Sequence, residues 1–332
     1  MVKVVTFGET MVLYNADYTG PYIDGMGYST YSAGAESNFL VCLNKLGLED
    51  VYTVWVSRLG NDEGADLILS DLRGKTHFSA PKYSGEKTGI CYLHHLDDGT
   101  HVKTYDRKGS AASKLEYQDV LPYLEGCDLI HVTGITPALS DSCRDTVLEV
   151  LNHAGQFDIL ISFDVNFRNQ LWEPCLAKPF FERVIRASKV LKIGHDEAEI
   201  VWGKRWTAIE YARYFQDLND GIVIITVGSG GAVAFDGYSV KSQPGYTVNV
   251  VEPVGAGDAF MAGFLGSIFR DIQFRDFFNL EPQRRSHIIN DALRIANVCG
   301  AFTCTKKGDT EGMPSMKEVE EYLDRMQVIE GK

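Results

Sequence analysis

The sequence predicts an α/β fold with a mainly parallel central sheet and a second, smaller β-sheet. Short apolar runs alternate with segments of helical periodicity along most of the 332 residues. Two segments, residues 9–33 and 88–110, interrupt that alternation with β-like patterns and turn residues. A glycine-rich turn at residues 254–258 leads directly into an apolar helix, as a ligand-binding loop often does. We therefore expect one domain over residues 1–332, with a lid formed by the two β-like segments.

The first half of the chain contains both predicted lid segments. An apolar run at residues 2–7 predicts a buried strand, and residues 32–46 predict a helix that opens with a glycine turn around Gly34 and stops at Gly47. A strand is predicted at residues 51–57 and a helix at residues 65–72. The turn Asp97-Asp98-Gly99-Thr100 separates two alternating runs and predicts a hairpin in the second lid segment.

The second half follows the strand and helix alternation of a mainly parallel sheet. Predicted strands cover residues 129–132, 159–164, 190–193, 223–227 and 232–235. Predicted helices cover residues 141–153, 179–187, 197–202, 209–218, 259–270, 288–303 and 316–325. Ligands of open α/β sheets lie beyond the carboxyl ends of the strands. Those ends carry Gly34, residues 164–168, residues 194–197, the glycine loop at 228–231 and the turn at Gly255.

Composition excludes several classes of partner. The net charge is −13, and no block of Lys and Arg offsets it, so nucleic acid and anionic membranes are not expected partners. The seven cysteines are odd in number and contain no Cys-X-X-Cys pair, which argues against a disulfide framework or a zinc site. No charged and apolar leader opens the chain, and no apolar run is long enough to span a bilayer. We expect a cytoplasmic protein with reduced thiols.

The turn before the apolar helix can bind an anion. Gly255, Ala256 and Gly257 lack bulky side chains, so their backbone amides can converge on a phosphoryl group at the helix N-terminus. Asp258 follows directly and has two possible roles. It could cap the helix, or it could act as a general base that takes a proton from a substrate hydroxyl.

These motifs resemble those of the ribokinase-like (PfkB) family of sugar kinases, over nearly the whole chain. The family signature Asp-Thr-X-Gly-Ala-Gly-Asp corresponds to residues 252–258, and the N-terminal glycine and asparagine region corresponds to residues 34–38 and 60–64. The resemblance implies a three-layer α/β/α domain with a small β-sheet lid. Residues 34–36, 105–113, 164–168 and 307–309 are similar to the subgroup that acts on 2-keto-3-deoxygluconate.

The resemblance implies an ATP-dependent kinase that phosphorylates the terminal 6-hydroxyl of 2-keto-3-deoxygluconate, with Mg²⁺ as cofactor. Asp258 is then the base, and the preceding amides hold the transferred phosphoryl group. Glu197 would hold Mg²⁺ through water, or it is simply a solvated residue in the first turn of a helix. Two departures concern the metal: Glu252-Pro253 replaces the usual Asp-Thr, and Gly194 replaces the asparagine of the Asn-X-X-Glu element.

A sugar acid calls for guanidinium groups, and Arg107 and Arg168 are the candidates. Each could instead be a surface arginine paired with a carboxylate. Tyr92 and Tyr105 could supply a hydroxyl and an aromatic wall, or they could form the core of the small sheet. The resemblance adds further residues to the predicted substrate site: Gly34, Ala35, Glu36 and Asn38.

The nucleotide is expected over the later strands. Residues 228–231 could be only a hairpin turn, and Asn297 could be a buried asparagine whose amide is satisfied by the backbone. The resemblance instead assigns to the nucleotide site Asn166, Arg168, Gly228, Ser229, Gly231, Gly257 and Asn297.

Other functions remain open on the sequence alone. A related kinase for a neutral sugar, fructose or ribose, would gain nothing from a carboxylate on its substrate. A catalytically silent sugar-binding protein would have lost the base, whereas Asp258 is present. A dinucleotide-dependent oxidoreductase would carry Gly-X-Gly-X-X-Gly after the first strand, and this chain does not. We also expect a homodimer or higher homo-oligomer formed through the lid.

Overall fold

The computed structural model of the chain describes residues 1–21 and 24–330. Residues 22 and 23 of the first predicted lid segment lie outside the described residues. The strands in chain order are β1 Val2–Phe7, β2 Met11–Thr19, β3 Tyr28–Ala33, β4 Val51–Val56, β5 Leu59–Gly60, β6 His77–Ser79, β7 Lys82–Tyr83, β8 Ile90–His95, β9 His101–Asp106, β10 Leu129–Thr133, β11 Leu160–Asp164, β12 Val190–Gly194, β13 Ile222–Thr226, β14 Ala232–Phe235 and β15 Val240–Gln243.

The helices cover both faces of the main sheet. In chain order they are α1 Ala35–Lys45, α2 Glu63–Leu72, α3 Tyr117–Leu124, α4 Thr136–Leu139, α5 Asp141–Phe157, α6 Pro174–Ala187, α7 His195–Trp202, α8 Ala208–Asn219, α9 Ala256–Asp271, α10 Phe274–Phe277, α11 Pro282–Thr303 and α12 Met316–Glu330. No helix in the described part of the chain is long and apolar enough to cross a membrane.

The central sheet confirms the predicted parallel architecture. Its order is β15-β14-β13-β12-β11-β10-β1-β4-β6, and every pair from β13 to β6 is parallel. At one end of the sheet, β14 pairs antiparallel with β13, and the edge strand β15 pairs antiparallel with β14. Because the parallel strands all point the same way, their carboxyl ends meet along one edge of the sheet, where ligands of such folds bind.

Two apolar layers hold the helices to the sheet, which makes three layers. Val4 of β1 packs into the cluster that contains residues of α1, α9 and α11. Its neighbour Val5 packs into the cluster with α3, α5, α6 and α8 on the other face. Successive residues of a strand point to opposite faces, so a strand buried on both sides is apolar throughout. This explains why the central strands appear in the sequence as continuous apolar runs.

The two predicted lid segments form one separate sheet, in the order β3-β2-β8-β9. The pairs β3-β2 and β8-β9 are antiparallel, and β2 pairs with β8 in parallel. One face of this lid sheet buries Leu13, Cys91 and Leu93 together with Val254, which belongs to the turn before α9. The lid therefore packs over the glycine-rich turn, and this face looks toward the ends of the central strands.

Several element boundaries differ from the sequence predictions. Helix α6 begins at Pro174, where proline suits the first turn, and Pro179 lies inside it. Helix α11 begins at Pro282, because its first turns are polar and lie outside the apolar pattern that placed the start at residue 288. The short elements α3, α4, β6 and β15 were not predicted, since each has too few residues to show a clear period.

Candidate active site

The turn that the sequence predicts to bind an anion lies at the N-terminus of α9. The amide of Ala259 donates to the carbonyl of Gly255 at 2.9 Å and closes the first helical turn. The amides of Ala256, Gly257 and Asp258 precede that bond, so they have no partner within the helix. Ala256 and Gly257 line two cavities, one of about 380 Å³ and one of about 420 Å³. The turn thus lies between two cavities, one of which could hold the donor of a transferred group and the other its acceptor.

Gly255 adopts a backbone conformation that the turn requires. Its φ is +76°, in the left-handed region that glycine tolerates best. A Cβ at this position would lie 1.9 Å from the carbonyl oxygen of Asp309. Both the angle and the contact therefore restrict this position to glycine.

Asn38 of α1 positions the carboxylate of Asp258. Its amide nitrogen donates to Oδ2 of Asp258 at 2.9 Å and to Oδ2 of Asp309 at 2.9 Å. An amide NH₂ has two donors, so one buried side chain orients both carboxylates. Asp258 lies in the first turn of α9, but its side chain does not cap that helix. The geometry thus favours the reactive role of Asp258 over the capping role.

Burial raises the pKa of Asp258 to about 7. The nearby carboxylates of Asp164 and Asp309 also raise it, whereas the hydrogen bond from Asn38 and the charge of Lys192 lower it. A carboxylate whose pKa lies near neutrality is a stronger base than an ordinary aspartate, yet it is still ionised in part at neutral pH. This is the protonation behaviour that a general base needs.

Lys192 places a buried positive charge against the anion-binding turn. It lies on β12 beside Asp164 of β11, and its ammonium is 3.1 Å and 2.9 Å from the two carboxylate oxygens of Asp164. A Cβ on Gly257 would come within 2.9 Å of the same ammonium. Burial alone would lower the pKa of Lys192, but the facing carboxylates raise it above its ordinary value, so the group stays charged.

The ends of β11 and β12 provide oxygen atoms suited to a hydrated cation. Glu197 accepts the amide of Gly194 through Oε2 at 2.9 Å, and its Oε1 lies 3.8 Å from Arg168. Asn166 has a buried Oδ1 that finds no hydrogen-bond partner among the residues that the structure describes, and it lines the 420 Å³ cavity together with Glu197. Hard oxygen donors of this kind fit Mg²⁺ that keeps most of its water. Among the described residues, no group of three or more acidic, His or Cys side chains is arranged to hold a metal directly.

The first cavity has the character of a nucleotide site. Residues 228–231 form the turn between β13 and β14, as a hairpin interpretation predicts, and Gly228, Ser229 and Gly231 also line this cavity. Asn297 lines it too, although its amide nitrogen donates to the carbonyls of Gln243 and Pro244. The remaining lining is mostly apolar and would suit a purine base. It includes Tyr246, Val248, Val250, Phe260 and Ala301.

A third cavity, of about 610 Å³, adjoins the one that contains Asp258. Lys103, Tyr105, Arg168 and Gln170 line both. Arg107 lines only the third, and its Nε and Nη2 each lie 2.6 Å from Oε2 of the buried Glu9. The charge of Arg107 is therefore already balanced inside the protein.

Other predicted substrate residues lie away from these cavities. Tyr92 is on the opposite face of the lid sheet from Tyr105, where its ring stacks on Tyr14 at 5.2 Å between centroids. The structure thus corrects the prediction that Tyr92 lines the site. Gly34, Ala35 and Glu36 begin α1 under the site, and Glu36 accepts the hydroxyls of Thr133 and Thr136 at 2.7 Å and 2.6 Å. Asn38 is the residue of this N-terminal segment whose side chain contacts Asp258.

Two residues of the site were missed from the sequence, Lys192 and Lys103. Lys192 interrupts the apolar run of β12, and a charged residue within a strand that is buried on both faces is a signal that could have been used. Lys103 lies in the hairpin, where alternating polar residues are expected on an exposed face. Only the packing of the lid reveals that its side chain points inward.

Comparison with known proteins is consistent with this site. The model of the family described as pfkB family carbohydrate kinase matches residues 1–316. The 2-dehydro-3-deoxygluconokinase of Bacillus subtilis (strain 168) is 29% identical over 100% of this chain and 98% of its own length. The 2-dehydro-3-deoxygluconokinase of Thermoproteus tenax is 29% identical over 97% and 94%. The probable fructokinase-4 of Arabidopsis thaliana is 25% identical over 96% of each chain.

Solved structures confirm the predicted ribokinase-like fold. The structure of a putative ribokinase II from E. coli in complex with ATP and Mg²⁺ matches this chain with a TM-score of 0.83. It is 24% identical in sequence and covers 98% of this chain and 100% of its own. Likeness at this level of identity concerns the arrangement of the elements, which includes both the parallel sheet and the small lid sheet.

Proposed function

Since this chain belongs to the pfkB family of carbohydrate kinases, and is thus a phosphotransferase with an alcohol group as acceptor, we propose that it phosphorylates the terminal 6-hydroxyl of 2-keto-3-deoxygluconate with ATP. The product is 2-keto-3-deoxy-6-phosphogluconate. Two of the similar proteins are named 2-dehydro-3-deoxygluconokinase, which supports this substrate.

The observation that supports an acidic substrate is the charge of the 610 Å³ cavity, which adjoins the cavity that contains Asp258. In a chain with a net charge of −13, the 610 Å³ cavity is lined by four cationic side chains, of which Arg107 is paired with Glu9. They are Lys103, Arg107, Lys108 and Arg168. No carboxylate is among the described residues that line it. A local cluster of one sign concentrates an anion of the other sign against the field of the whole protein. A sugar acid fits this cavity better than a neutral sugar does.

The proposed reaction follows from the positions of the groups. The acceptor hydroxyl lies beside Asp258, which takes its proton as the oxygen attacks the γ-phosphorus of ATP. The bond from that phosphorus to the β,γ-bridging oxygen breaks, and ADP leaves. The amides of Ala256 and Gly257 stabilise the charge on the transferred oxygens, and Lys192 adds a positive charge behind them. Asn166 and Glu197 would hold Mg²⁺ through water, and the ion would supply positive charge to the nucleotide phosphates. Asn297 and the turn at residues 228–231 border the nucleotide.

A kinase for a neutral sugar is the second candidate. The similarity to plant fructokinases favours it, and so does the buried ion pair between Arg107 and Glu9, which removes one expected cation from acid recognition. The two candidates differ in a measurable way, because only the first gains binding energy from a carboxylate.

A panel of ATP-coupled assays tests the proposal. It compares 2-keto-3-deoxygluconate and 2-keto-3-deoxygalactonate with fructose and ribose, each with ATP and Mg²⁺. We expect kcat/KM for at least one acid to exceed that for either neutral sugar at least about tenfold, since a charge-assisted pair contributes about 1.5 to 3 kcal/mol. Equal or better use of fructose would favour the second candidate. Omission of Mg²⁺ from the same assays tests whether the reaction requires this ion.

The pH dependence of kcat/KM tests Asp258 as the base. The base must be deprotonated, so we expect kcat/KM to fall about tenfold per pH unit below the pKa of about 7 and to level off above it. The measurement uses the preferred sugar at saturating Mg²⁺ and ATP from pH 5.5 to 8.5. A flat profile across pH 7 would contradict this assignment.

The lid sheet is also the proposed surface for pairing two copies. Its outer face carries the aromatic cluster Tyr14, Tyr18, Tyr28 and Tyr92. Tyr18 is already buried, whereas Tyr14, Tyr28 and Tyr92 are only half-buried, so their further burial against a second copy would stabilise a homodimer. Sedimentation at micromolar concentration would detect it, and a monomer there would contradict the pairing.

We propose a cytoplasmic location for the enzyme, because its substrates are metabolites of the cell interior.

A further inference from the structure

Lys103 is an inward-facing cation on lid strand β9. It pairs in register with Leu93, whose side chain lies in the buried face of the lid sheet, so Lys103 points toward the site rather than toward solvent. Its side chain lines both the cavity that contains Asp258 and the adjoining 610 Å³ cavity. Within the described residues, its ammonium forms no hydrogen bond and has no carboxylate within 4.0 Å.

The other cations that line the 610 Å³ cavity differ from Lys103 in burial or in pairing, since Lys108 is exposed and both arginines face a carboxylate. Arg107 is 8% exposed and donates both of its close nitrogens to Glu9. A second anion would have to compete with that buried carboxylate, and breaking a buried pair is costly. Arg168 has a side chain that is 42% exposed and turns toward Glu197. Lys103 is thus the half-buried cation whose donors are all available to a ligand.

We infer that Lys103 binds the acidic group of the acceptor and sets the preference of the site for an acid over a neutral sugar. This inference rests on the proposed function and assigns the selectivity to a residue of the lid. The acceptor hydroxyl lies at Asp258, and the acidic group lies at the junction of the two cavities, which Lys103 shares with Tyr105 and Arg168.

The electrostatic surroundings of Lys103 agree with this role. Burial by itself lowers the pKa of Lys103, but Asp309 and Tyr105 raise it above its ordinary value. The group therefore carries a full positive charge at neutral pH. Asp309 is itself buried and bound to Asn38, so Lys103 could instead serve only to balance that carboxylate. The two roles predict different kinetics.

The test replaces Lys103 with Met, which keeps the length of the side chain and removes its charge. We expect KM for 2-keto-3-deoxygluconate to rise at least about tenfold, which corresponds to about 1.4 kcal/mol. KM for fructose and KM for ATP should stay within about twofold of the parent, because loss of a contact made in both ground and transition states acts on the KM of that substrate alone. Lys103→Arg should restore most of the acid preference.

Lys87→Met is the matched control. Lys87 precedes lid strand β8, has a side chain that is 44% exposed, and is paired with Asp106 on the far side of the lid from Asp258. The substitution removes the same charge at a position close to the lid sheet, so it reports the effect of net charge alone. We expect it to leave the ratio of acid to neutral-sugar kcat/KM unchanged.

The outcomes separate the inference from the proposed function. A parent enzyme that prefers fructose to the acid overturns both. A parent that prefers the acid, together with a Lys103→Met variant that keeps the preference, overturns the inference alone. If Lys103→Met raises the KM of acid, fructose and ATP together, or if its thermal midpoint falls while the ratio is unchanged, Lys103 only balances Asp309 and the inference is wrong.

Discussion

Asp258→Asn is expected to lower turnover at least about a hundredfold, which is the usual contribution of general base catalysis. The substitution keeps the shape of the side chain, and an asparagine oxygen can still accept the hydrogen bond that Asn38 donates at 2.9 Å. ATP binding should persist, because the amides of the turn and the first cavity are unchanged. The measurements are kcat with the preferred sugar and the dissociation constant for ATP by calorimetry.

Stability should not account for that loss. The folded protein holds the pKa of Asp258 near 7, above its ordinary value of 3.8, so ionisation of this group is disfavoured in the folded state. Its contribution to the free energy of unfolding therefore decreases as the pH rises from 3.8 toward 7, and stays reduced above that. Asp258→Asn removes the cost, so at pH 8 its thermal midpoint should equal or exceed that of the parent.

The control for this substitution is Asp141→Asn, which makes the same change at an exposed position in the first turn of α5. It should turn over like the parent. Turnover of Asp258→Asn within a few-fold of the parent would show that another group accepts the proton.

Gly255→Ala is expected to reduce turnover by about two orders of magnitude or more, because loss of one oxyanion donor alone costs about 10² to 10³ in kcat. Its φ of +76° is unfavourable for alanine, and the new methyl group would lie 1.9 Å from the carbonyl oxygen of Asp309. The chain must move at this point, and the amides of Ala256 and Gly257 move with it. A loss in thermal midpoint should accompany the loss in turnover.

Gly203→Ala separates the effect of an unfavourable backbone conformation from the effect of displaced amides in the turn before α9. Gly203 ends α7 with a φ of +68°, but a methyl group there would meet no atom of the described part of the chain within 4 Å. It should cost about 1 to 2 kcal/mol of stability from the backbone conformation, with normal turnover. Equal turnover of the two alanine variants would mean that the geometry of the turn before α9 does not matter for the reaction.

The part of the site that is local in sequence could be predicted. Gly255, Ala256, Gly257 and Asp258 are neighbours, so their chemistry follows from the order of the residues and the apolar helix after them. The parallel sheet was likewise predictable, because strands buried on both faces, such as β13, are apolar throughout.

Contacts between distant segments could not be predicted in this way. The alternation in residues 90–95 identifies a strand, but a shift of one residue reverses its faces, and the packing against Val254 decides that Tyr92 points away from the site. The neutralisation of Arg107 depends on Glu9, which lies 98 residues earlier. Nothing in either segment alone indicates that pair.

The amide of Asn38 joins residues that are 220 and 271 positions away along the chain. Bonds of this kind close long loops at a cost in entropy, so we expect them to form late, after most of the chain is in place. Secondary structure in the early strands and helices can form before them, whereas the orientation of Asp258 cannot. Recovery of activity during refolding should therefore follow recovery of the helical signal, with an inactive but largely structured species between the two.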